Sequence, residues 1–291
     1  MSPCSIISVD VEDYFHVEAF AQVVNRNNWG AYASRVERNT ERILDLFAER
    51  QIKGTFFILG WVAERYPHLV RRITERGHEP ACHSYWHRLI YKLTPEDFRE
   101  DTLRAKNCIE QAAGTPIYGY RAPSFSITGR SVWALDVLAQ LGFRYDSSVF
   151  PVKHDTYGVP DAPRRPFRIE TPFGPIVEFP MATFRFGSGP NFPIAGGGYL
   201  RMLPFSYTRM GMRRAWSEGL PVVSYIHPWE IDPEQPRINA SLKSRLRHYT
   251  NLGKTEVRLR KLLALGEFTS FRDSGLADSA PSFSFKEALL R

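Results

Sequence analysis

His83-Ser84-Tyr85-Trp86-His87 places two imidazoles four residues apart, and Asp10-Val11-Glu12-Asp13 places three carboxylates at the end of the first apolar run. Two histidines at that spacing can point the same way and share one divalent ion. One carboxylate added to them, with positions left open for water and substrate, completes a recurring metal-site composition. Histidines at i,i+4 also fall together by chance, so the pair alone decides little. The elements around it must bring the imidazoles and a carboxylate together.

Those elements read as an alternation of strands and helices. Ser5 to Val11 is β-branched and apolar, a buried strand that delivers Asp10 to its C-terminal end. Arg35 to Arg50 carries Val36, Ile43, Leu44 and Phe47 at helical spacing, and Gly54 to Leu59 reads as the next strand. A helix with Val62, Tyr66, Leu69, Val70 and Ile73 on one side stops at Gly77, and Glu79 to Cys82 leads into the histidines. Thr94 and Pro95 open another helix as N-cap and first helical residue. Ile117 to Tyr120 is a short strand ending at Arg121, and Val132 to Leu141 a helix closed by Gly142. This order predicts a parallel sheet or barrel with short connections.

Past Ser148 the rhythm breaks. Residues 151–200 are rich in proline and glycine, with short candidate strands at Phe167–Glu170 and Ile176–Phe179. Gly196-Gly197-Gly198 lacks the Lys-Ser/Thr ending of a phosphate loop and reads as a turn or flexible loop. Leu203 to Glu218 is a helix, Leu220 to Tyr225 a strand ending at His227, and Lys254 to Leu265 a last amphipathic helix. No linker separates the halves. A single domain over 1–291 is expected, with a core over about 1–150 and an elaborated remainder over 151–291.

Composition narrows the class. With 291 residues, 43% hydrophobic and 24% charged, the chain has room for a substantial core and no signature of disorder. Cys4, Cys82 and Cys108 are odd in number and lack a C-x-x-C spacing, which argues for a reducing compartment. Cys82 reads as a small buried residue ending a strand rather than a thiol ligand. No signal-peptide pattern or spanning segment is visible, so a cytoplasmic location is expected, with contact at the inner face of the membrane considered. The net charge of +7 favours polyanions or an anionic membrane surface. Its share in Lys243, Arg245, Arg247, Lys254, Arg258, Arg260 and Lys261 reads as a solvated helical face, and no motif supports nucleic-acid binding.

In a parallel α/β sheet, functional groups gather at the C-terminal ends of strands. Five such ends carry polar residues: Asp10 to Asp13, His83 with His87, Arg121, Asp146, and His227. The constellation resembles the polysaccharide deacetylase family, the NodB-homology or carbohydrate esterase family 4 enzymes. Ser8 to Asp13 is similar to that family's first motif, His83 to His87 to its His-Ser/Thr-x-x-His motif, and Arg121-Ala122-Pro123 to its Arg-x-Pro motif. Tyr145-Asp146-Ser147-Ser148 and Ile226-His227-Pro228 resemble the fourth and fifth. Val9 to Phe15, Gly196 to Tyr199 and His227 to Glu230 resemble the branch associated with exopolysaccharide clusters of the PEP-CTERM/exosortase type, with its C-terminal extension. One departure stands out: Val11 intervenes where the common motif has two adjacent aspartates, so the carboxylate ligand is Glu12 or Asp13. Strand alternation puts Glu12 on the side of Asp10, whereas Asp13 needs a bend.

The resemblance implies a distorted (β/α) barrel of about seven parallel strands and hydrolysis of N-acetyl groups on a polysaccharide or lipid-linked oligosaccharide. It implies a divalent metal on His83, His87 and Asp13 or Glu12. Zinc is the default, with Co, Ni or Fe compatible with the same ligands. Asp10 would act as general base, Arg121 would orient it, and His227 would protonate the departing amine, its pKa raised by a neighbouring acid such as Asp146. Trp229, Tyr85 and Pro123 are candidates for substrate contact. Two other readings stay open: an amidohydrolase for a small non-sugar amide, and a non-catalytic glycan-binding module of a polysaccharide assembly system.

Overall fold

The computed structural model describes residues 5–154 and 156–285; Cys4 lies outside them. β1 (Ser5–Val11) is buried along its whole length, as an apolar run without a polar face must be when its sheet is covered on both sides. α1 (Val36–Ala48) buries Val36, Ile43, Leu44 and Phe47 and leads to β2 (Thr55–Ile58). The single helix expected next is two, α2 (Gly60–Arg65) and α3 (Pro67–Glu75). Pro67 brings no amide hydrogen and forces Tyr66 out of the helical region, to φ −129° and ψ 58°.

β3 (Glu79–Cys82) ends on buried, free Cys82. α4 (Pro95–Ala113) begins where Thr94 Oγ1 accepts the Asp97 N–H at 3.1 Å and ends at Gly114 with φ +68°. β4 (Gly119–Tyr120), α5 (Ala134–Gln140) and β5 (Tyr145–Asp146) follow. β6 (Phe167–Ile169) and β7 (Ile176–Glu178) pair antiparallel, and β8 (Thr183–Phe184) and β9 (Phe192–Pro193) form a separate ribbon. The glycine triplet is not a loop: Gly196, at φ +94°, caps α6 (Gly197–Met202). α7 (Phe205–Ser217), β10 (Val223–Ile226), α8 (Leu242–Tyr249), α9 (Leu252–Leu263) and β11 (Phe268–Thr269) complete the order.

The main sheet runs β10-β1-β2-β3-β4-β5-β7-β6, with β11 also beside β1. Along that order every pairing is parallel except β6–β7. The sheet is curled and mostly parallel, an open half-barrel with β10 and β6 at its ends. β10 comes from the far half of the chain to lie beside β1, with Ile6 opposite Val223 and Val9 opposite Ile226. Both halves therefore build one sheet, and the parallel arrangement puts the ends of β10, β1, β3, β4 and β5 on one edge.

Candidate metal centre

Glu12, His83 and His87 each bring one ligand atom within 4.8 Å of the others, and all three residues are buried. His83 Nδ1 donates to the Arg121 carbonyl at 2.8 Å, which fixes the tautomer and leaves the Nε2 lone pair for a cation. His87 Nε2 lies 2.9 Å from Glu12 Oε2. Burial works against charge on Glu12, yet His87, His227 and His83 hold its carboxyl well below the usual range. Burial also depresses His83, to about 4. An ionised carboxylate and a neutral imidazole are the ligand forms a divalent ion requires. Apart from the His87 ring, no donor reaches buried Glu12 Oε2, so the donor set fits a cation that would satisfy that oxygen.

The histidines do not ride on a helix. Ser84 and His87 both take left-handed backbone, at φ +62° and +50°, a strained arrangement that only its surroundings can hold. α4 supplies Asp101, which accepts the Tyr85 N–H at 2.7 Å and the Trp86 N–H at 3.3 Å. Ser84 Oγ accepts the His87 N–H at 3.1 Å. Arg26 donates to the Trp86 and His87 carbonyls at 2.7 and 3.2 Å. Asp101 and Arg26 carry no sequence signal beyond their type, since the loop they brace is remote in the chain.

Beside the cluster stand Asp10, Arg121 and His227. Arg121, fully buried, donates through Nη1 to Asp10 Oδ1 at 2.6 Å and Ser8 Oγ at 2.7 Å. Its other nitrogens reach Ser147 O at 3.1 Å and Ser147 Oγ at 3.0 Å. His227 Nε2 lies 3.9 Å from Asp10 Oδ2 and 3.4 Å from Glu12 Oε1. Asp10 and Glu12 thus face the same imidazole, as strand alternation requires. His227 is the most open of these groups, with 18% of its side chain exposed.

Asp13, weighed equally with Glu12 as a ligand, points elsewhere. Its Oδ2 accepts from Ser34 Oγ at 2.7 Å, Arg35 N at 2.7 Å and Val36 N at 3.1 Å, and its Oδ1 from Tyr14 N at 3.0 Å. The carboxylate caps the start of α1, where unsatisfied amide hydrogens favour negative charge.

Comparison with known proteins places this geometry. Residues 30–145 match the family described as polysaccharide deacetylase, and residues 147–275 match a domain of unknown function (DUF3473). Residues 30–145 thus carry a polysaccharide deacetylase domain. It is 33% identical over 75 residues to a peptidoglycan-N-acetylglucosamine deacetylase of Bacillus cereus, covering 26% of this chain and 27% of that protein. It is 30% identical over 101 residues to a chitooligosaccharide deacetylase of a Bradyrhizobium species, covering 34% and 43%. The matches therefore span less than half of either relative. A Mycobacterium smegmatis protein assigned provisionally to the polysaccharide deacetylases shares the fold, with TM-score 0.63, 20% identity, and 96% and 90% of the two chains covered. A carbohydrate esterase family 4 pseudoenzyme from Bacillus anthracis also shares it, with TM-score 0.50, 13% identity, and 97% and 67% covered. The fold houses active and inactive sites, so activity has to be argued from residues.

Around this polysaccharide deacetylase domain, several expected contacts fall differently. Trp229 is buried, its Nε1 donates to Glu12 Oε1 at 3.3 Å, and His227 and His248 stack on its ring at 5.1 and 4.1 Å. It is a wall of the centre, not an open platform for a sugar. Tyr85 is buried with its hydroxyl donating to Glu64 at 2.5 Å, and Pro123 is buried in a 3-10 turn. Packing has taken both away from solvent.

Asp146, expected to raise the pKa of His227, faces Glu178 instead, its register partner on β7. Burial of the pair pushes Asp146 up to about 6 and Glu178 well above the carboxylate range. The folded state holds a proton that the unfolded chain releases at lower pH, so stability falls as pH rises through about 6. Glu178→Gln should keep the acceptor for Val149 N, now 2.9 Å from Glu178 Oε1, and supply a permanent donor. It should stabilise the protein by on the order of 2 kcal/mol at pH 8 and much less at pH 4, read by urea unfolding at both.

The partner of His227 is Glu230, missed in the sequence although its i+3 spacing was visible. Glu230 Oε2 lies 3.0 Å from His227 Nδ1, and burial of His227 is outweighed by Glu230, Glu12 and Asp10, which raise it to about 9. His16 and His248 also lie close by. His16 Nδ1 accepts the Asp13 N–H at 2.9 Å, and burial lowers both rings to about 3.

Proposed function

We propose that this protein is a metal-dependent hydrolase that removes N-acetyl groups from a polysaccharide. One observation carries the reading: the cation-fitting cluster Glu12, His83 and His87 touches a held imidazole, His227, 3.4 Å from Glu12, and that imidazole lies 3.9 Å from the carboxylate of Asp10, itself fixed by Arg121. A divalent ion there, zinc by the donor types, would supply a Lewis acid and lower the pKa of water. Asp10 has one oxygen fixed by Arg121 and the other directed toward His227, so Oδ2 is the acceptor for the proton of the attacking water. His227 Nε2, facing Asp10 and Glu12, carries a proton and delivers it to the amine nitrogen, which cannot leave as an anion.

The relatives named for peptidoglycan N-acetylglucosamine and for chitooligosaccharide support an N-acetylated glycan as substrate class. The resemblance to the exopolysaccharide-associated branch favours a polymer under assembly, free or carried on lipid. Among the described residues no helix is long and apolar enough to cross a membrane. α8 exposes Leu242 and Leu246 by 70% and 58% beside Lys243, Arg245 and Arg247, which suits peripheral contact with an anionic bilayer at the cytoplasmic face.

The test is acetate release from N-acetylated oligosaccharides by metal-loaded protein. Chelation should reduce release to background and zinc should restore it. Rapid turnover of a small amide with none of glycans would make the protein an amidohydrolase of another kind. A metal-free protein that binds glycan without cleaving it would make it a binding module.

A further inference from the structure

We infer that Glu230 is the positioning residue of the proton donor, clamped by Arg201 and by the space left at Gly197. The segment matched to a domain of unknown function, which contains all four residues, thus supplies this half of the site. The inference rests on His227 acting as donor in the deacetylase proposed above. His227 directly follows β10, and nothing in a strand end sets which way an imidazole turns. Glu230 sets it: its Oε2 lies 3.0 Å from the His227 backbone N and 3.0 Å from Nδ1 and accepts from both. With Nδ1–H committed there, Nε2 is the nitrogen left facing Asp10 and Glu12.

Glu230 is in turn immobile. Its Oε1 accepts from Arg201 Nε at 2.8 Å. Arg201, 2% exposed on α6, donates through Nη1 to His248 O at 3.0 Å and Thr250 O at 2.8 Å, and through Nη2 to Arg247 O at 3.3 Å. A Cβ on Gly197 would fall 1.6 Å from Glu230 Oε2; the glycine provides room for a carboxylate rather than a flexible loop. A buried ion pair adds little net stability over apolar residues of similar volume, so folding alone does not account for this assembly. In the reaction the proton leaves His227 Nε2 and forms the N–H bond of the amine as the C–N bond breaks. The Nδ1–H stays with Glu230 throughout.

Two variants of the full chain test this, Glu230→Gln and Gly197→Ala; the second displaces the carboxylate without removing a charge. The first readout is the 15N spectrum of the His227 ring in metal-free and metal-loaded protein, assigned by its loss in His227→Gln. The wild type should show a hydrogen-bonded Nδ1–H, and both variants should lose or shift it. The second readout is the ratio of N-acetyl glycan hydrolysis to hydrolysis of an aryl acetate, whose phenolate leaves without a proton. That ratio should fall roughly 10²-fold in both variants, with metal stoichiometry kept. An unchanged ring signal, or equal losses on amide and ester, would overturn the assignment of Glu230. A wild type that shows the Nδ1–H signal yet releases no acetate from any glycan would instead overturn the proposed activity and leave the orientation by Glu230 supported.

Discussion

Glu12→Gln should lose metal binding and acetate release together, each by roughly 10³-fold, well beyond the 10- to 100-fold cost of an outer-shell partner. Asp13→Ala should keep metal affinity within about tenfold. The two acids are adjacent and were equal candidates, but their surroundings differ. Glu12 Oε2 faces His87 Nε2 at 2.9 Å and has no other polar partner. Asp13 accepts four hydrogen bonds, three of them from backbone amides. Removing its carboxylate strips amide hydrogens at the start of α1 of their acceptor and should cost about 1–3 kcal/mol of stability. His83→Ala and His87→Ala should behave like Glu12→Gln. Metal titration with urea unfolding separates the two classes. A protein that holds metal without Glu12 and loses it without Asp13 would reverse the ligand assignment.

Arg121→Met should both disable and destabilise the protein. The guanidinium is fully buried and reaches Asp10, Ser8 and Ser147 through all three nitrogens. Its loss leaves Asp10 as an uncompensated buried charge, at a cost of about 3–5 kcal/mol, a large part of a typical domain's net stability. Acetate release should fall at least about 10²-fold, because Asp10, proposed above as the general base, loses its fixed orientation. Asp10→Asn placed on top of Arg121→Met should recover much of the stability and none of the activity. Activity returning with stability would mean that Arg121 serves only the fold.

Much of this was legible in the sequence because it is encoded over a few neighbouring residues. The burial of β1, the Thr94–Pro95 start of α4 and the polar residues at strand ends depend on side-chain period and local capping. Other features needed closer attention to local chemistry. Pro67 marks the break between α2 and α3, and Gly196 at φ +94° starts a helix rather than a loop. The glycine triplet misled because its reason is spatial: Gly197 makes way for Glu230 and Gly196 for the Tyr225 ring.

By itself the sequence determined the donor types, two imidazoles and a carboxylate near strand ends, and the alternating elements that make a parallel sheet. Only the tertiary structure set Glu12 beside His83 and His87 and Asp13 at the start of α1, buried Trp229, Tyr85 and Pro123, and put Glu230 rather than Asp146 against His227. The physical reason is separation along the chain. Arg121 meets Asp10 across 111 positions and Trp229 meets Glu12 across 217. Which groups meet at such distances depends on strand order and on how β10 is laid beside β1, and no local pattern of residues carries that information.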